Sequence, residues 1–280
     1  IGGSNVTFAG FSASGTEKVN VTNFEQNAGD NILDLSLVPD VNQLQVSASS
    51  GSGNTQFSSV ANNADLTVGT GSGNVDINYA SAVTSGMDDT QSITLNGPGG
   101  GTITVDGMET FDVTTALLDS TLTALTGNDL ATLNVSGDKA LEITSALNAS
   151  VKTIDASAHT GGLTADISSA TDRTVTTGSG DDTLTVGTDL PGTDGSIDTG
   201  DGTDRLIVNQ DGFDETINNI SNIEEVEVEH TTGSADATID MSLVSGVNTA
   251  AVDVTGDNDN GGTQDVTVNN LENGDTVSIE

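Results

Sequence analysis

The sequence has no cysteine or tryptophan, and its 280 residues include only three prolines, six phenylalanines, one tyrosine and five basic residues. Without cysteine, neither disulfides nor thiolate metal sites are available. The formal net charge is 5 − 42 = −37, and the few cations are scattered: Lys18, Lys139, Lys152, Arg173 and Arg205. Such a chain cannot neutralise phosphates, which excludes nucleic acid as a partner and disfavours an anionic membrane surface.

Long apolar runs are also missing, since no stretch approaches the roughly 18 residues of a membrane-spanning helix. We therefore expect no membrane insertion. Residues 1–10 lack the basic and apolar regions of a secretory signal. Strand-like sequence at 6–8 and 277–279 predicts that the chain is the ordered part of a longer protein.

Glycine, aspartate and threonine dominate the composition and disfavour long helices. Short runs of alternating valine, isoleucine, leucine and threonine recur, and each predicts a strand of three to five residues with one buried face. These runs lie at residues 44–46, 66–68, 75–77, 93–95, 103–105, 133–135, 141–143, 184–186, 206–208, 226–228 and 266–268.

The turns between these runs repeat at a regular distance. Gly51 and Gly71 open similar strings 20 residues apart, and Gly178 and Gly200 open a second pair 22 residues apart. Short strands of even spacing predict an all-β fold, a parallel β-solenoid or β-helix whose coils stack over a narrow core. Inserted antiparallel β-sandwich segments remain an alternative, especially at residues 80–120. We expect a β-rich solenoid or sandwich-like segment over 1–124 and a β-solenoid segment with calcium-type turns over 125–280, or one continuous domain.

A recurring corner places an acid two residues before an apolar strand residue. The acids are Glu17, Glu109 and Glu224. A repeated structural corner is the interpretation we favour, with the acid capping a turn or facing water.

Two nonapeptides carry the clearest chemical signal. TGSGDDTLT at 177–185 and TGDGTDRLI at 199–207 fit the G-G-x-G-x-D-x-U-x pattern of calcium-binding β-rolls, with threonine in place of the first glycine. Glycines let the turn curl until its carbonyls converge, and aspartates add carboxylates, which are the hard oxygen ligands that Ca²⁺ prefers.

The 22-residue offset predicts that the second turn lies directly above the first, so that facing loops share an ion. The predicted ligands are the carboxylates of Asp182 and Asp204, then those of Asp181 and Asp201. The predicted carbonyl donors are Gly178, Gly180, Gly200 and Gly202.

A weaker candidate is the D-x-D-x-G loop that contains Asp257 and Asp259. It begins like an EF-hand loop, but Val268 stands where that loop needs a bidentate glutamate. The strings at 51–57 and 71–77 have Thr55 and Val75 in place of the aspartate, which predicts a turn without an ion.

Catalysis finds little support in the sequence. His159 and His230 are the only histidines, and neither lies in a nucleophile or metal motif. Cations that would hold a polyanionic sugar are almost absent, and so are the aromatic platforms of glycosidases. We therefore expect a protein that is not an enzyme.

Over residues 130–144, 174–187 and 196–208, the sequence resembles the crystalline surface-layer proteins of Gram-negative bacteria, Caulobacter type, which combine repeats-in-toxin (RTX) calcium motifs with Thr-rich solenoid segments. The resemblance implies type I secretion, calcium-dependent folding, and self-assembly into a homo-oligomeric lattice at the cell surface. It also implies attachment to cell-surface polysaccharide through regions outside this chain. Only two motifs are intact, whereas RTX proteins often carry long arrays.

The charge leads to the same expectation, because divalent cations relieve the self-repulsion of a compact polyanion and so couple folding to metal binding. Three alternatives stay open: a calcium-dependent adhesin or biofilm-matrix protein, a secreted enzyme with an RTX tail, and a Thr-rich ice-binding solenoid. The offsets between the T-x-T triplets at 102, 121, 174 and 183 disfavour the ice-binding alternative.

Overall fold

The structure is a computed structural model of the chain. It describes residues 6–8, 12–22, 31–47, 54–71, 73–170, 172–187, 195–208, 220–229, 237–240, 247, 249–253, 266–270 and 275–279. Over these residues it consists of strands and turns, without a helix. The chain divides into two compact units, Ile1–Ser145 and Ala146–Glu280. The boundary at 124 stays a prediction.

The described residues of the first unit form fourteen strands. They are β1 Val6–Phe8, β2 Lys18–Thr22, β3 Asn31–Asp34, β4 Gln43–Ser47, β5 Thr55–Val60, β6 Asp65–Gly69, β7 Val75–Tyr79, β8 Thr90–Asn96, β9 Thr102–Val105, β10 Thr110–Thr115, β11 Ser120–Leu122, β12 Ala124–Thr126, β13 Thr132–Gly137 and β14 Leu141–Ile143.

Strands β1 to β10 alternate between two parallel sheets, and β11 to β14 are divided among these two sheets and a third. One sheet has the order β1-β3-β5-β7-β9-β12, the other has β2-β4-β6-β8-β10-β13, and β11 pairs with β14. Thr55 pairs with Val75, so one coil here spans 75 − 55 = 20 residues, as the glycine strings predict. This confirms the parallel β-solenoid.

In the part of the second unit that the structure describes, there are twelve strands. They are β15 Thr153–His159, β16 Leu163–Asp166, β17 Thr174–Thr176, β18 Thr183–Val186, β19 Ser196–Asp198, β20 Arg205–Val208, β21 Ile220–Ser221, β22 Glu225–Glu229, β23 Ala237–Asp240, β24 Thr249–Asp253, β25 Val266–Asn269 and β26 Thr276–Ile279. They form the parallel arrays β15-β17-β19-β21, β16-β18-β20-β22-β24-β26 and β23-β25.

Every run of alternating apolar residues named above lies within a strand, which confirms those predictions. The inserted β-sandwich at residues 80–120 is wrong, because β8 pairs in parallel with β6 and β10, and β9 pairs in parallel with β7 and β12. The glycine-rich GPGGG string at 97–101 connects β8 to β9, so it is a turn between two coils.

The core is built from columns of equivalent residues in successive coils, since parallel strands in register place like side chains about 4.8 Å apart. Both columns below are buried. In the first unit one column is Leu44, Leu66, Ile93, Val113 and Val135. In the second unit one column is Ala165, Leu184, Leu206, Val226 and Ala250.

We expect Phe111→Ala to lower the free energy of unfolding by about 3–5 kcal/mol, because it empties the place of a fully buried ring in a narrow core. Thr114→Ala, at an exposed position of the same strand, should cost under about 1 kcal/mol. Urea denaturation followed by circular dichroism measures both. Equal losses would mean that the β10 face of the core contributes little.

Candidate metal centre

The two nonapeptides form stacked turns in the second unit. Residues 177–182 connect β17 to β18, and residues 199–204 connect β19 to β20. Thr176 pairs with Asp198 before the turns, and Thr183 pairs with Arg205 after them. The second turn therefore lies directly above the first, as the 22-residue offset predicts.

Glycine is required because the turn backbones stack so closely. A Cβ at Gly178 would lie 1.7 Å from the carbonyl oxygen of His159, and one at Gly200 would lie 2.1 Å from that of Gly178. Gly200 also has a φ of +77°, where a side chain is strained. The Gly178 carbonyl accepts a hydrogen bond from the backbone N–H of Asp201 at 2.9 Å, so this oxygen, a predicted calcium ligand, points along the stack.

The aspartates of the motif form a ladder of hydrogen bonds between coils. Oδ1 of Asp182 accepts the backbone N–H of Leu163 at 2.7 Å. In the same way, Oδ1 of Asp204 accepts the N–H of Asp182, and Oε2 of Glu224 accepts that of Asp204, both at 2.8 Å. Each acid thus ties its own coil to the preceding one.

The same bond occurs in the first unit, where Oε2 of Glu109 accepts the N–H of Asp89 at 2.8 Å. The backbone carbonyl of Glu109 in turn accepts the N–H groups of Ala131 and Thr132. Glu109 and Glu224 therefore cap a repeated corner, as the sequence predicts. The aspartates of the two nonapeptides occupy the equivalent position, although the sequence presents the acid corner and the nonapeptide as separate motifs.

Asp182 and Asp204 differ from ordinary capping acids in their burial, with exposed fractions of 1% and 0%. Their second oxygens, Oδ2, are buried and accept no hydrogen bond. The hydroxyls of Thr177 and Thr199 lie beside these carboxyl groups. Thr177 donates its single proton to the carbonyl oxygen of Thr199 at 2.8 Å, and Thr199 donates its own to the carbonyl oxygen of Asn222. Both hydroxyl protons are therefore directed to carbonyls, and each unpaired carboxylate oxygen needs a cation or a proton.

The pKa values of Asp182 and Asp204 are both raised at this site. Burial raises the pKa of Asp182 above its ordinary value, and burial with the charges of Asp182 and Glu224 raises that of Asp204 to about 6. The neighbouring hydroxyl of Thr177, the backbone N–H of Leu163 and the nearby His159 lower the pKa of Asp182 in part. A bound cation would restore the ionised form of both carboxyl groups.

The other predicted ligands lie outside this buried column. Asp181 is exposed, and its Oδ1 accepts the N–H of Thr203 at 2.9 Å; Asp201 is exposed as well. Asp257 and Asp259 lie outside the described residues. Within the described ranges, no group of three or more histidine, aspartate or glutamate side chains comes together as a metal cluster.

The donor set nevertheless fits calcium, whose ligands are carboxylate, hydroxyl and carbonyl oxygens. Asp182 and Asp204 would hold the ion through their unpaired oxygens, with Thr177 and Thr199 as neutral partners. Sequence reasoning did not single out these two threonines. The signal was present, because they are the residues that replace the first glycine of each nonapeptide.

Comparisons with protein-family models, with curated proteins and with solved structures found no match. The part of the chain that the structure describes has no helix that would cross a lipid bilayer.

We expect Gly178→Ala to destabilise the second unit strongly, because its Cβ would overlap a backbone carbonyl that cannot move without breaking the stack. Gly99→Ala is the matched control, since a Cβ there meets nothing within 4 Å. Thermal unfolding by circular dichroism, in calcium and in EDTA, compares the two. An unchanged midpoint for Gly178→Ala would contradict the close stacking.

The raised pKa of Asp204 predicts an unusual pH dependence of metal-free stability. Its folded pKa of about 6 lies above the ordinary aspartate value of 3.8. The stabilisation by Asp204 is therefore complete below pH 3.8 and is lost as the pH rises through about 6. In EDTA, the free energy of unfolding should therefore be larger at pH 5 than at pH 7.5.

Acidification also relieves the general charge repulsion, so the decisive quantity is the difference between the native chain and Asp204→Asn. We expect this variant to show a smaller pH dependence in urea denaturation. An identical dependence would mean that Asp204 titrates normally.

Proposed function

We propose that this chain is a structural surface-layer protein, located at the cell surface, that folds with calcium and assembles with copies of itself into a lattice over the outer membrane. The observation that carries the proposal is the pair of buried, unpaired carboxylate oxygens in the stacked turns. The resemblance to RTX surface-layer proteins over the same residues supports it.

Calcium would act as the cross-link that the composition otherwise lacks. The chain has no cysteine for disulfides and few large side chains for its core, so an ion held between two coils is an efficient way to stabilise the stack. Millimolar calcium outside the cell would favour the folded state. At the low calcium inside the cell, the repulsion among −37 net charges would keep the chain expanded for export.

Replacing both buried carboxylates by amides tests the calcium site. Asp182→Asn with Asp204→Asn keeps an oxygen that accepts each backbone N–H but removes the two charges. We expect the calcium concentration at the folding midpoint to rise roughly tenfold or more, because Ca²⁺ affinity depends on ligand charge. In EDTA at pH 7.5, the same variant should be at least as stable as the native chain.

The matched control is Asp112→Asn with Asp129→Asn, which changes the net charge equally at exposed positions. Its calcium midpoint should stay close to that of the native chain. An unchanged midpoint in the buried pair would remove Asp182 and Asp204 from the site.

Assembly is measured in the same titration of EDTA-treated protein, by circular dichroism together with light scattering and electron microscopy. Ordered sheets that form with calcium support the surface-layer proposal. End-to-end rods would favour the adhesin alternative, and a chain that stays folded and monomeric throughout would contradict both.

A further inference from the structure

A buried arginine in the second unit reaches from one coil to the preceding one. Arg173 lies directly before β17, and only 2% of it is exposed. Its Nη2 donates to the carbonyl oxygens of Leu147 at 3.0 Å and Asn148 at 2.9 Å, in the segment that leads into β15. The same nitrogen donates to Oγ of Ser169 at 2.6 Å. Three acceptors therefore share the two N–H groups of this one nitrogen.

The other two nitrogens of the guanidinium are left over. Nε and Nη1 of Arg173 are buried and form no hydrogen bond to any described residue, so that three N–H groups are unused. Oγ of Ser150, two residues after Asn148, is likewise buried without a hydrogen bond. Buried donors without an acceptor cost free energy, which indicates that an acceptor belongs at this place.

The charge of Arg173 lacks a hydrogen-bonded counter-ion as well. Asp172 forms an ion pair with Lys152, and Oδ1 of Asp166 accepts the backbone N–H of Ser168 at 2.9 Å. Burial lowers the pKa of Arg173, and the charges of Asp172 and Asp166 raise it only in part. The guanidinium stays protonated in proteins, so a positive charge is held in the interior without a carboxylate bonded to it.

We propose that Arg173 binds a small monovalent anion of the halide class, with chloride as the occupant. Such an ion accepts all three N–H groups and also neutralises the buried charge. A water molecule would accept from two of them at most and would leave the charge as it is. Nε and Nη1 have almost no exposed surface, so the occupant must be small, which disfavours phosphate and the carboxylate of another molecule. The hydroxyl of Ser150 would supply a further donor.

This site is separate from the proposed calcium column and of opposite sign. The net charge of −37 repels anions from the chain as a whole, so an anion is retained only where a buried cation is left uncompensated. Because the donors come together only when the coils stack, chloride would bind the folded state and stabilise it. The chain would then need an anion as well as a cation for full stability.

Thermal unfolding of the full chain in calcium tests the proposal. The protein is refolded in sodium chloride or in sodium methanesulfonate at equal ionic strength, with calcium supplied as methanesulfonate. We expect the midpoint from circular dichroism to be about 2–4 °C higher in chloride. Equal midpoints in the two salts would overturn the proposal.

The position of the ion is measured in crystals of the calcium-loaded chain grown in sodium bromide, where anomalous scattering identifies bromide. We expect a bromide in contact with Nε or Nη1 of Arg173. A water only at this position would overturn the proposal.

Arg173→Gln removes the charge and the fork of donors, so we expect it to abolish the difference between the two salts. Ser150→Ala leaves the arginine and its bonds to Leu147 and Asn148 unchanged. It should reduce the chloride effect by roughly threefold or more, and it keeps the test decisive if Arg173→Gln does not fold.

The matched control is Lys139→Gln, which removes one positive charge from the first unit, where Lys139 pairs with Asp138. It should keep the full chloride effect. An undiminished effect in both Arg173→Gln and Ser150→Ala would contradict the site. Asp182→Asn with Asp204→Asn should also keep the effect, which separates the anion site from the calcium proposal.

Discussion

The structure depends on parallel hydrogen bonding between equivalent residues of successive coils. This pairing places equivalent residues of successive coils about 4.8 Å apart. The same spacing holds for every column of such residues. Apolar columns such as Leu44, Leu66 and Ile93 form a core that is mostly aliphatic and contains few aromatic residues. Turns must be thin as well, which is why a Cβ at Gly178 or Gly200 would meet the backbone of the preceding coil.

The same spacing brings like charges together. Asp182, Asp204 and Glu224 follow one another at equivalent corners, and one oxygen of each is neutralised in part by a backbone N–H. The second oxygens of Asp182 and Asp204 stay unpaired in the interior, and burial raises the pKa of both carboxyl groups. The corner that binds coils together is therefore the place where the proposed divalent cation would relieve the most repulsion.

Stacking also explains why side-chain hydrogen bonding varies along the outer faces of the sheets. Where polar side chains of adjacent coils reach each other, as Thr114 reaches Ser136, they form ladders that close their hydrogen bonding. Where the side chains differ in length and charge, as from Lys18 through Gln43 to Asp65, the ladder stays open. The hydrogen bonding of the outer face therefore depends on which side chains the register places beside each other.

The sequence by itself determined the all-β class, the strand positions, the parallel solenoid and the superposition of the two nonapeptides. Alternation of apolar residues and the 20- and 22-residue glycine offsets are signals of a repeating backbone. They can be recognised in the sequence without knowledge of distant contacts. Only the tertiary structure decided which carboxylate oxygens of the turns accept no hydrogen bond. The N–H that Asp204 accepts comes from Asp182, one coil away. Thr177 and Thr199 donate their protons to carbonyl oxygens of later coils. Such bonds join residues about twenty positions apart, and their geometry follows from the stack rather than from the motif.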